Sequence, residues 1–119
     1  MFYTIETAKA AYPRMTGSDK QIVWAASIRD KLALELSRDA AALAHEIARN
    51  QAVYADQSEM EALAQKQGIT VDELAKAIDL FIEKATARID VLNARIAQEE
   101  AHWWIENRDV LNIERYAKR

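Results

Sequence analysis

The sequence predicts an all-α fold: a helical bundle built on two long antiparallel helices, with a short connecting helix and a C-terminal Trp-Trp segment. Three observations carry this. The 119 residues include only two Gly and one Pro, and the rest is rich in Ala, Leu, Glu, Lys, Arg and Gln, the residues that form helices most readily. Apolar residues recur at steps of three and four through two long windows, which places them on one face of a helix. Finally, the Ser/Thr-x-x-Gln/Glu signature of a helix start occurs as Ser18/Gln21, Ser58/Glu61 and Thr70/Glu73, each just ahead of such a window. A chain of this length is expected to form one domain, spanning 1–119.

Taken in order, residues 1–15 allow two readings. Met1 to Glu6 can form a strand-like arm, or Thr4 can cap a short helix with Ile5, Ala8 and Tyr12 on one side. Pro13 ends either one, because the residue before a proline avoids the helical region. The aromatics Phe2, Tyr3 and Tyr12 call for burial on the bundle or on a partner. Ser18 is a good N-cap, and Asp19 in the first turn is favoured by the helix dipole. The first long helix is predicted over 19–55. Its stripe is Ile22, Ala25, Ala26, Leu32, Leu36, Ala40, Leu43, Ile47 and Tyr54, and Trp24 lies beside it, covering one end of the core. No Gly or Pro interrupts this helix, and a break near Asn50 is allowed but not demanded.

Asp56-Gln57-Ser58 reads as a polar link, with Ser58 capping a short helix over 59–67. Gly68 is a suitable residue just past its end. Thr70 then caps a second long helix over 71–99, with its stripe at Val71, Leu74, Ile78, Phe81, Ala85, Ile89, Leu92 and Ile96, widened by Ile82. The mean step near 3.6 points to nearly straight helices rather than a long supercoil. The segment 101–117 can be helical, with Trp104, Arg108, Leu111 and Arg115 on one side. Adjacent tryptophans lie about 100° apart on a helix, so one of Trp103 and Trp104 is expected to anchor the segment. The other is left between elements or facing a partner. Tyr116, Lys118 and Arg119 make the tail basic.

Composition narrows the function. There is no Cys, hence no disulfide, no thiolate zinc site and no thiol nucleophile. No apolar run approaches the ~20 residues of a membrane span. The first residues show neither the charged nor the long apolar region of a secretory signal. A cytoplasmic location is expected. Net charge is -3, which argues against non-specific binding to nucleic acid. His45 and His102 are not spaced as metal ligands, and no phosphate loop, nucleophile elbow or zinc motif is present. Neighbouring Glu99 and Glu100 do not face each other on a helix. No enzyme activity, cofactor or metal is therefore expected.

Two stretches stand out. Thr16-Gly17-Ser18-Asp19-Lys20-Gln21-Ile22-Val23-Trp24-Ala25-Ala26-Ser27-Ile28-Arg29 opens the first long helix, and Trp103-Trp104-Ile105-Glu106-Asn107-Arg108 lies near the end of the chain. Together they resemble a pattern of small phage, prophage and plasmid proteins, Thr-Gly-Ser-x-Lys-Gln-x-x-Trp-Ala-x-x-Ile-Arg followed by Trp-Trp-Ile-x-Asn-Arg. The resemblance covers about a sixth of the chain. It carries no catalytic residue with it. It implies a mobile genetic element acting in bacterial cytoplasm, and it implies that the two motifs lie together, with Trp24 near Trp103 and Trp104.

The function expected from these readings is a non-catalytic protein-binding module of a mobile element, possible targets being a host defence complex of the kind blocked by anti-CRISPR or anti-restriction proteins. Its contact residues would be Lys20, Gln21, Arg29, Trp103, Trp104 and Arg108. Apolar residues outside the two stripes (Val23, Leu34, Val53, Ile82) point to a homodimer. The competing reading is a small DNA-binding regulator. Ala64 and Gly68, followed by the capped helix from Val71, resemble the turn of a helix-turn-helix over 62–80. Against it, Asp72 and Glu73 would face phosphates where positive charge is needed.

Overall fold

The computed structural model describes the backbone of residues 3–117 and the side chains of residues 3–111. The placement of Phe2 and Arg115 and the basic tail of Tyr116, Lys118 and Arg119 lie outside the described residues. The fold is all-α, with helices α1 (Ile5–Ala11), α2 (Asp19–Tyr54), α3 (Gln57–Gln67), α4 (Val71–Ile96) and α5 (Ala101–Ala117). The long helix α2 contacts α4 and α5.

Helices α1 to α4 each begin where a side chain can satisfy a free backbone N–H group of the first turn. At α1 the helical alternative prevails: Thr4 is the N-cap, and its side chain accepts from the Thr7 N–H while Thr7 answers the Thr4 N–H. At α2 the Ser18 N–H donates to Gln21 Oε1 at 3.0 Å and the Gln21 N–H to Ser18 Oγ at 3.3 Å. Thr70 and Glu73 make the same reciprocal pair at α4. Helix α3 departs from expectation. It starts two residues earlier, because Asp56 and not Ser58 is its N-cap, with Asp56 Oδ1 accepting the Glu59 N–H at 3.2 Å. Gly68 closes α3 in the left-handed conformation, φ 71°. Helix α2 runs unbroken for 36 residues; at Asn50, where a break was allowed, the side chain instead donates to the Glu46 carbonyl at 2.8 Å.

The chain gathers into two compact units, residues 38–93 forming one and residues 1–37 with 94–119 the other. In the 38–93 unit the core holds Met60, Ala64, Leu74 and Ile78, with Val53, Leu63, Val71 and Ile82 packed against it. Val53 and Ile82 are therefore partly buried against this core. Phe81, expected on the buried stripe, is 36% exposed. At 3.6 residues per turn Ile82 lies about 40° from Ile78 and Phe81 about 60° away on the other side, and the packing takes the nearer one.

In the other unit Ala8, Met15, Ile22, Ala25, Ala26, Leu32, Leu36, Ala101, Trp104 and Leu111 are buried. Here α4 ends at Ile96, short of the expected 99. The reason is a short extended pairing: Thr16 bridges to Glu100, its N–H donating to the Glu99 carbonyl and its carbonyl accepting the Ala101 N–H, both at 2.8 Å. Residues 98–100 must leave the helix to make it.

Candidate protein-binding groove

That pairing of Thr16 is what brings the two sequence motifs together. Gly17, the next residue, has φ 144° and lies so close to α5 that a Cβ built on it would stand 3.0 Å from Ala101 Cβ. The start of α2 and the start of α5 are thereby clasped, backbone to backbone.

Arg29 locks the clasp from below. Its Nη2 donates to the Ile96 carbonyl at 2.9 Å, one of the carbonyls left unpaired at the end of α4, where a positive charge also meets the negative end of the helix dipole. The guanidinium lies 4.5 Å from the centre of the Tyr12 ring and 5.7 Å from that of Trp104, a stacking geometry in which a planar cation is attracted by the ring faces. Burial lowers the proton affinity of Arg29, and the negative charge of Glu99 partly offsets this; a guanidinium nevertheless stays protonated. Trp104 is fully buried, and its indole N–H donates to the Gln98 carbonyl at 2.9 Å. Trp103 packs edge-on against it, ring centres 5.0 Å apart. His102 Nε2 lies 3.4 Å from Glu100 Oε2 on the surface.

Helix α1 is tied to α2 through Asp30, whose carboxylate accepts from both Tyr3 and Tyr12 hydroxyls. The hydrogen bond to Asp30 raises the Tyr3 pKa, with burial and the Asp30 charge acting in the same direction. Lys9 and Asp19 add an exposed ion pair at 3.5 Å.

Between these two helices opens a groove of about 570 Å³, lined by Tyr3, Ile5, Asp19, Lys20, Val23, Trp24 and Ser27. Trp24 does not cover the core as expected. It is 51% exposed, and Arg108 of α5 lies over its ring at 4.9 Å. Arg108 is itself held by donating to the Ile105 carbonyl. The contact from α5 to Trp24 is thus cation on ring.

The residues expected to meet a partner now divide. Lys20 is exposed and lines the groove. Arg108 braces Trp24, and Trp103 is half-buried. Trp104 is corrected to a core residue, since a side chain with no exposed surface offers none to a partner. Arg29 is half-buried, its guanidinium donating to Ile96 and lying against two rings. Gln21 is committed to the α2 cap. Trp24, Tyr3, Ile5 and Val23 also line or edge the groove; the sequence marked Tyr3 and Val23 as apolar residues in need of cover and Trp24 as an indole just off the buried stripe of α2, but did not place them together.

In the 38–93 unit, the turn that resembles a helix-turn-helix has Ala64 buried and Gly68 capping α3, with Asp72 and Glu73 exposed in the first turn of α4. Among the described residues no group of His, Asp or Glu side chains is arranged to hold a metal ion, and no helix is long and apolar enough to cross a membrane. No protein-family model, curated protein or solved structure matches the chain.

Proposed function

We propose that this protein is a non-catalytic protein-binding module that seats a segment of its partner in the Trp24 groove. The observation that supports this is Trp24 itself: a half-exposed indole, braced by a guanidinium, at the edge of an apolar groove. Tryptophan and arginine are the residues that most often dominate binding energy at interfaces, and they do so in pockets that exclude water. Tyr3, Ile5 and Val23 supply the apolar floor. Lys20 has no ion pair among the described residues, and Arg108 adds a second positive charge beside the ring, whereas Asp19 is already matched by Lys9. The occupant that fits is a peptide segment with an apolar anchor next to a carboxylate. The resemblance to mobile-element proteins supplies the setting: a host complex in the bacterial cytoplasm, with defence machinery as the target class and steric occlusion as the mechanism.

The test is a tagged pull-down from a bacterial lysate, with and without nuclease, comparing wild type with Trp24→Ala and Lys20→Glu. A stoichiometric protein captured by wild type, lost with Trp24→Ala and weakened at least tenfold by Lys20→Glu supports the reading. Capture that is indifferent to Trp24, or recovery of nucleic acid alone before nuclease, overturns it.

A further inference from the structure

Helix α4 carries a second apolar stripe, on the side away from its buried one. Ala77, Leu80, Lys84, Ala87 and Val91 follow one another at steps of three, four, three and four, and all five are exposed. Leu80 is 50% and Val91 42% exposed, with Phe81 at their flank 36% exposed. The buried stripe follows the 3.6-residue period of a straight helix. This outer stripe follows the 3.5-residue period of a coiled-coil seam, and over two heptads the two periods drift apart by only about 40°.

The charges beside the seam indicate what covers it. Glu83 precedes the seam residue Lys84, and Arg88 follows the seam residue Ala87; one heptad on, Asp90 and Arg95 repeat the arrangement. In a parallel, in-register pair of helices each acidic residue faces the residue five positions on in the other strand. Glu83 then meets Arg88 and Asp90 meets Arg95, and two-fold symmetry makes each pair twice. Such flanking charges set partner choice and orientation. An antiparallel pair would instead set the Arg88 and Arg95 row against itself. Lys84, the one polar residue in the seam, can reach Glu83 across the interface, and a single lysine at such a place fixes register at some cost in stability. Arg88 and Arg95 already make interactions within the chain, but a guanidinium has five N–H donors and can serve more than one partner.

We propose that this face of α4 pairs with the same face of a second copy of the chain, parallel and in register. Self-association was expected from other residues, two of which, Val53 and Ile82, pack partly buried against a core. The seam is short and two of its places are alanine, so the pair is a transient one.

Sedimentation velocity from micromolar to millimolar protein should show a concentration-dependent dimer. Leu80→Glu, at an exposed position, should abolish it while leaving the circular dichroism unchanged. Orientation is read with Leu80→Cys, the only thiol in a chain that has no cysteine. In a parallel in-register pair it faces its own counterpart and oxidises to a covalent dimer, which Cα separations above about 7 Å forbid. Replacing both Glu83 and Asp90 with Lys should weaken the pair more than tenfold at low salt. A monomer at every concentration overturns the proposal. So does a dimer indifferent to Leu80→Glu, and failure of Leu80→Cys to cross-link in a dimerising sample overturns the parallel register.

Discussion

Gly17 is under two constraints at once. Its φ of 144° is one that side chains rarely adopt, and its missing Cβ leaves room for Ala101. Gly68 is under only the first, at φ 71°, with open space where a Cβ would go. The two alanine substitutions should therefore differ. Gly68→Ala meets the left-handed penalty alone, about 1 kcal/mol, whereas Gly17→Ala adds a steric conflict with α5 and should cost about 3 kcal/mol. Urea unfolding of the two variants checks this, and equal midpoints would show that the clasp between Gly17 and Ala101 has no energetic weight. The sequence signals a turn at both glycines, but not that one of them faces another helix more than eighty residues away. The same holds for Arg29: the sequence reads it as a partner contact, and only the fold reveals Tyr12, Trp104 and the Ile96 carbonyl around it.

Helix starts are governed by local chemistry, and the sequence located most of them. Ser18 and Thr70 cap as expected because their partners, Gln21 and Glu73, lie within the same turn. The start of α3 shows the limit of that logic. Asp56 with Glu59 and Ser58 with Glu61 have the same spacing, and both are sound capping pairs. The chain uses the earlier one, which adds two residues to the helix, and leaves Glu61 to accept from the Gln57 side chain at 3.1 Å. Asp56→Ala should accordingly cost about 1 kcal/mol, while Ser58→Ala, now an exposed position inside α3, should stay within about 0.5 kcal/mol. Thermal unfolding separates the two, and a larger loss at Ser58 would move the cap back. Helix ends were less legible. The end of α4 at Ile96 is set by Thr16 pairing with Glu99 and Ala101, a contact between segments that no local window contains.

Over the whole chain the same division holds. The all-α class follows from composition and periodicity, which every part of the sequence repeats. The groove is assembled from residues 3, 5, 19, 20, 23, 24 and 27, and no periodic pattern marks residues that meet only after folding. Charge, by contrast, is a property of the entire molecule and makes a prediction of its own. The chain carries 16 basic and 19 acidic residues, and the segment that resembles a helix-turn-helix presents Asp72 and Glu73 at the start of its second helix. A protein that reads duplex DNA must neutralise phosphates, and each neutralised phosphate steepens the fall of affinity with salt by about one unit of logarithmic slope. With carboxylates at the helix start, that neutralisation is opposed where it is most needed. The protein should therefore show no retention on duplex DNA at about 0.15 M salt, near physiological ionic strength, and Lys66→Ala and Lys76→Ala should leave even low-salt binding unchanged. Fluorescence anisotropy across a salt titration is the measurement. A steep slope that shrinks when Lys66 or Lys76 is removed would place phosphates against α3 and α4, and would make the regulator reading the stronger of the two.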